Sequence, residues 1–143
     1  MAAIVVDANI TVALFVRLPY SDVVDNLFSL WRRQNVPLYA PSLWPLEVAS
    51  SLRKAVAVKQ VSEEDALQAL ARLERLGVQV IAADTSLLRS SLTWARKLNQ
   101  FVAYDAQYLA LAESLEAELW TADKRLAGAA RSIGTTFVHC IQD

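Results

Sequence analysis

Short β-type runs alternate with amphipathic stretches along nearly all of this 143-residue chain, and the gaps between them are brief. IVV (4–6) leads into a predicted helix over 8–16. A second helix over 22–34 carries Val24, Leu27, Phe28 and Trp31 at 3-and-4 spacing. LYA (38–40) is the next predicted strand. Ser42, after Pro41, is the expected cap of a helix over 42–57, with Pro45 tolerated in its first turn. Ser62 and Asp65 read as a capping box with Asp in place of Glu, opening a helix that Gly77 ends, so these two helices form a hairpin. VQVIA (78–82) is a candidate strand, Thr85 the expected cap of a helix over 85–98, and a further helix begins at Asp105. Strand ELWTA (118–122), a helix over 124–131, Gly134 and strand TFVHCI complete the chain. Such β-α alternation predicts an α/β domain over residues 1–143, with a parallel sheet covered by helices on both faces.

Composition narrows the classes available. A hydrophobic content of 55% is ample for a two-sided core, and no apolar run approaches the ~18 residues that span a bilayer. No basic leader precedes the first strand, which points to a cytoplasmic chain. The single cysteine, Cys140, cannot form an internal disulfide and is expected in the core. With 14 basic and 15 acidic residues, the broad basic signature of a nucleic-acid binder is absent, so any such substrate must be held by a local patch. The three glycines, Gly77, Gly128 and Gly134, cannot be written into a dinucleotide fingerprint or a P-loop. His139 is the only histidine, and its place in the last strand suits a structural role. Paired-histidine catalysis is thereby removed, and a closed zinc set is unavailable.

Four segments instead place one carboxylate each where apolar chain gives way to a turn or helix start: VVDAN at Asp7, PLEVA at Glu47, AYDAQYLALAE at Asp105 and TADKRL at Asp123. In an open α/β sheet the carboxyl ends of the strands face one crevice, so acids remote in sequence can converge there. Converging carboxylates repel unless some take up protons or a hard cation with oxygen ligands neutralises them, which suits Mg²⁺ or Mn²⁺. Each residue also has a plainer reading. Asp7 and Asp105 could cap helices, and Asn9 could be a turn residue or could orient a ligating carboxylate. Glu47 in an apolar turn would be costly unless paired or ligating. Thr121 and Asp123, two apart at a strand end, face one side while strand geometry persists, with Thr121 in support. Glu113 lies roughly 80° around the helix from Asp105 at 100° per residue, so it need not face the site. Lys54 shares the helix face of Glu47, with Ser50 and Ser51 between, as a candidate phosphate-contacting edge. Arg53, Arg96, Lys97, Lys124 and Arg125 could extend it. Trp31, Trp44, Trp94 and Trp120 read as core or partner-binding residues.

VVDANI, APSLWPLEVASSLR, YDAQYLALAE and WTADKRLA together resemble, in order and spacing, the four acidic motifs of PIN-domain ribonucleases, most closely VapC toxins of bacterial and archaeal toxin–antitoxin pairs. The resemblance covers nearly the whole chain. It implies a Rossmann-like three-layer α/β/α fold with a mainly parallel sheet of four to five strands. It also implies a Mg²⁺/Mn²⁺-dependent endoribonuclease, with Asp7, Glu47, Asp105 and Asp123 matching the catalytic and metal-binding quartet and Asn9 and Thr121 the small polar positions. Metal-activated water would leave a 5′-phosphate and a 3′-hydroxyl. Lys124 departs from PIN versions with a further acid there, which leaves open whether one ion or two would bind. An RNA-maturation PIN nuclease without an antitoxin, or a non-catalytic scaffold, are the alternatives. Ala49, Leu52, Val56, Leu67, Leu70 and Leu73 give the predicted hairpin more apolar surface than it can bury on itself, so a groove for an amphipathic antitoxin segment is expected, in a homodimer.

Overall fold

The computed structural model describes residues 2–142; the two terminal residues of the expected 1–143 domain lie outside it. The elements in chain order are β1 (Ile4–Val6), α1 (Ala8–Val12), α2 (Ser21–Arg33), β2 (Leu38–Pro41), α3 (Trp44–Ala57), α4 (Glu63–Leu73) and β3 (Val78–Ile81). They continue with α5 (Thr85–Lys97), α6 (Tyr104–Ser114), β4 (Glu118–Thr121), α7 (Lys124–Ser132) and β5 (Val138–Cys140). The five strands form one sheet in the order β3-β2-β1-β4-β5, with every pairing parallel. This is the three-layer α/β arrangement expected from the alternation.

Parallel strands need crossover helices, and right-handed crossovers send β1-to-β2-to-β3 connections to one face and later ones to the other. The direction of winding reverses between β1 and β4, the place where open α/β sheets form a crevice at their carboxyl ends. β1 is the central strand and is buried throughout; Val5 and Val6 are wholly inaccessible. Tyr108, Leu109 and Leu111 on α6, Leu119 on β4 and Ile10 on α1 fill the core beside it. α6 buries residues on nearly every side because it lies between the sheet, where it packs across β1, β2 and β4, and helix α5. Trp31, Trp44 and Trp94 are buried as expected, as is Cys140. Trp120 is half-buried and stacks on His139 with ring centroids 4.8 Å apart, which gives the lone histidine a packing role.

Several element ends differ from expectation. The first helix stops at Val12 rather than near 16, because the Ser21 hydroxyl donates to Ala13 O at 2.7 Å and accepts from Leu18 N–H at 2.9 Å, folding residues 13–20 into a turn. Ser42 is not a cap: Leu43 occupies the N-cap of α3 without a side-chain bond, although Pro45 lies in the first turn as anticipated. Thr85 is not one either, since the preceding Asp84 accepts from Leu87 N–H at 2.8 Å. Nor does Asp105 cap α6, which begins one residue earlier after Ala103 and leaves the Asp105 carboxylate free of a capping bond. Ser62 does cap α4, accepting from Asp65 N–H at 3.0 Å. No helix among the described residues is long and apolar enough to cross a membrane.

Candidate metal and active-site cleft

An open cleft of about 880 Å³ lies at the carboxyl ends of β1 and β4. Asp7, Glu47, Asp105 and Asp123 all border it, together with Asn9, Ser50, Ser51, Lys54 and Arg125. The fold therefore brings the four sequence-selected acids to one place from four elements. Asp7 follows β1 and Asp123 follows β4. Glu47 arrives in the first turn of α3, and Asp105 in the first turn of α6.

Asp7 does not use its side chain as a helix cap. Its Oδ2 accepts from the Thr121 hydroxyl at 2.8 Å and from Asn9 Nδ2 at 3.4 Å. Thr121 Oγ1 in turn accepts from Asn9 Nδ2 at 3.2 Å and from Asp123 N–H at 3.0 Å, while Asn9 Oδ1 accepts from Ala122 N–H at 2.9 Å. Thr121 is inaccessible and Asp7 nearly so. Asn9 and Thr121 thus join the exits of β1 and β4 in one network that fixes Asp7. Thr11 adds a buttress, donating to Asp7 O at 3.1 Å and accepting from Trp44 Nε1 at 3.0 Å.

The other acids are oriented too. Tyr108, fully buried, donates its hydroxyl to Glu47 Oε1 at 2.6 Å. Asp123 caps α7, its Oδ1 accepting from the N–H groups of Arg125 and Leu126 at 2.9 and 3.1 Å. In Asp7, Glu47 and Asp123 one carboxylate oxygen is held by the protein, and the second makes no side-chain hydrogen bond among the described residues. Tyr108 was not singled out by sequence, yet it lies three residues after Asp105 and so shares its helix face. Glu113 instead turns to α5, accepting from Trp94 Nε1 at 3.2 Å. Of the suggested basic edge, Lys54 and Arg125 border the cleft, whereas Lys97 lies over the Trp94 ring.

Electrostatically the cleft is a site under repulsion. Burial, followed by the charges of Glu47 and Asp105, raises the Asp7 pKa to about 7 against the opposing Thr121 hydrogen bond. Burial likewise raises Glu47, with Tyr108 opposing and Asp105 adding to the rise. Asp105 is raised by burial and by Asp123, and Arg125 counteracts this. Burial and the neighbouring carboxylates also push the Tyr108 hydroxyl far up, so it remains a donor. No three acidic, histidine or cysteine side chains among the described residues are drawn tightly enough to hold an ion as they stand. The donor set itself, four carboxylates gathered at one cleft, fits a hard divalent cation and no soft one.

This fold with an acidic cleft at its winding reversal defines a class, and a PIN-domain family model matches residues 5–137. The chain belongs to the PIN domain family. It is similar to Ribonuclease VapC1 of Mycobacterium tuberculosis, with 40% identity over 90 residues that span 63% of this chain and 65% of that protein. Among solved structures it resembles PAE2754 from Pyrobaculum aerophilum, with a TM-score of 0.72 and 20% identity over 99% of this chain and 85% of that one. It also resembles a chain of a toxin–antitoxin complex from Klebsiella pneumoniae, with a TM-score of 0.68 and 18% identity over 97% and 98% of the two chains. The two structural likenesses carry the fold.

Proposed function

We propose that this chain is a single PIN domain acting in the cytoplasm as a divalent-metal-dependent endoribonuclease, the toxin of a toxin–antitoxin pair. The observation that carries the reading is the cleft in which Asp7, Glu47, Asp105 and Asp123 meet, with Asp7 locked by Thr121 and Asn9. The name of the similar VapC1 and the complex from Klebsiella pneumoniae support a ribonuclease and an antitoxin partner.

Asp7, Glu47, Asp105 and Asp123 would hold Mg²⁺ or Mn²⁺. When bound, the ion supplies positive charge for the phosphodiester and acidifies an attacking water. The chain's own residues do the rest. Thr121, Asn9 and Tyr108 hold two of the carboxylates in fixed orientations, so little reorganisation is left to binding. Lys54 and Arg125 offer cationic contacts for the backbone of an approaching RNA on the cleft wall. The two hydroxyls paired with cleft carboxylates, Thr121 with Asp7 and Tyr108 with Glu47, are wholly buried and so are placed to orient those carboxylates rather than to attack a substrate.

Cleavage of RNA by the purified protein should require Mg²⁺ or Mn²⁺ and stop in EDTA, with products bearing a 5′-phosphate. Undiminished cleavage in chelator rejects the reading.

A further inference from the structure

The chain has four phenylalanines, four tyrosines and four tryptophans, and of these twelve only Phe101 and Tyr104 are exposed. Both border the acidic cleft. Phe101 is 105% and Tyr104 62% accessible, so neither contributes its ring to the core. Leaving two rings in water forgoes the burial that places the other ten at least partly inside. An occupant is the simplest reason for both to be beside the same carboxylates.

Local structure accounts for their placement. α5 ends in a Schellman turn: Asn99, at φ +56°, donates its N–H to Arg96 O at 3.1 Å, and Gln100 donates its N–H to Ala95 O at 2.8 Å. The chain is thereby reversed into residues 101–103, a link outside the regular elements that delivers Tyr104 and Asp105 to the first turn of α6. The exposed ring of Tyr104 is thus one residue from a carboxylate. Lys54 and Arg125 border the same cleft, and neither forms a salt bridge among the described residues. Cations that track a phosphate backbone beside rings that take a flat partner are the combination by which proteins hold single-stranded nucleic acid. Leu46 and Val102 are exposed on the same cleft, yet an apolar protein partner without cations fits less well, since seated on these rings it would cover Glu47 and Asp105 and bury their charge without a counter-ion.

We propose that Phe101 and Tyr104 form a platform on which an RNA base next to the scissile phosphate stacks. The inference rests on the ribonuclease reading and adds to it the side chains that hold the base.

The test uses a single-stranded RNA oligonucleotide carrying 2-aminopurine, whose fluorescence is quenched by stacking, alongside cleavage kinetics of the unlabelled strand. Phe101→Ala should abolish the quench and raise KM about tenfold while leaving kcat near wild type. Phe101→Trp should restore both, and Phe101→Leu, apolar but not flat, should not. Cleavage with KM unchanged in Phe101→Ala, or fully restored by Phe101→Leu, overturns the platform and leaves the nuclease reading standing. So does a dimer that Phe101→Ala dissociates, since a second copy would then cover the ring. A Phe101-dependent quench without any cleavage supports the platform and removes the nuclease reading. Absence of both overturns both.

Discussion

Asp7 takes up a proton on folding that the unfolded chain would have released, because burial and two neighbouring carboxylates hold its pKa near 7 against 3.8. The sign follows by linkage. In the metal-free protein the native state binds the extra proton, so the Asp7 contribution to stability is fully present below about pH 4 and is lost as pH rises to about 7, by on the order of 4 kcal/mol. Asp7→Asn removes this dependence, so thermal melts in EDTA at pH 8 should show the variant melting higher than wild type. An added divalent ion should narrow that gap. Neutralising each acid in turn, by Asp7→Asn, Glu47→Gln, Asp105→Asn and Asp123→Asn, should lower RNA cleavage by at least ~10²-fold with circular dichroism unchanged. Asp123→Asn is the cleanest of these, since asparagine caps a helix as well as aspartate and only the charge is lost. Tyr108→Phe deletes one 2.6 Å hydrogen bond to Glu47. A bond to a charged group is worth ~1.5–3 kcal/mol, so activity should fall about tenfold or more and recover in part as the Mg²⁺ or Mn²⁺ concentration is raised. The four acids were legible in the sequence because each interrupts an apolar run, where a carboxylate needs a reason to be. Tyr108 was not, since a tyrosine in YDAQYLALAE reads equally well as core, and the hydroxyl's partner comes from another helix.

The elements were legible in kind and less so at their ends. Apolar runs and 3-and-4 spacing marked the strands and helices, whereas helix termini announce themselves by glycine and by capping side chains. Here α2, α3, α5 and α6 close with Asn35, Lys59, Asn99 and Glu116 at positive φ in place of glycine, and only α7 closes with Gly134. Each makes the paired Schellman bonds, as when Glu116 N–H donates to Glu113 O at 3.2 Å and Ala117 N–H to Ala112 O at 2.8 Å. A lysine or glutamate there accepts a left-handed cost that glycine avoids, at ~1–2 kcal/mol against a smaller entropic penalty for glycine. Glu116→Gly should therefore raise stability by up to about 1 kcal/mol, read as an increase of ~2–4 °C in the calorimetric Tm. The capping errors have a related cause. At Asp84-Thr85 two adjacent residues could both cap, and local sequence does not say which carries the extended backbone that accepts the bond.

For the molecule as a whole, alternation foretold a parallel sheet, but sequence alone did not show how Asp105 reaches the cleft. It follows no strand; α6 crosses the sheet and delivers it from the side. The expected hairpin surface divides likewise: Leu73 joins the core, Leu52 is buried at the base of a groove, and Ala49, Val56, Leu67 and Leu70 line that groove with Arg53 and Glu63. Leu67, 62% exposed, is the residue to change. Leu67→Asp should leave the fold intact and weaken retention of the product of the adjacent upstream gene on co-expression, with light scattering reporting the mass of each complex. A strictly monomeric protein without a co-purifying partner would favour a nuclease that works alone. The Asp7–Thr121 bond spans 114 positions of chain, and β1 gains its second neighbour only when β4 arrives. During synthesis the first strand must therefore wait, half its hydrogen-bonding edge unpaired, until residues near 121 have left the ribosome tunnel. Until then Asp7 has no anchor and the cleft no second wall. On the proposed reading, a nascent chain of this sequence therefore carries no assembled acidic cleft until β4 has emerged.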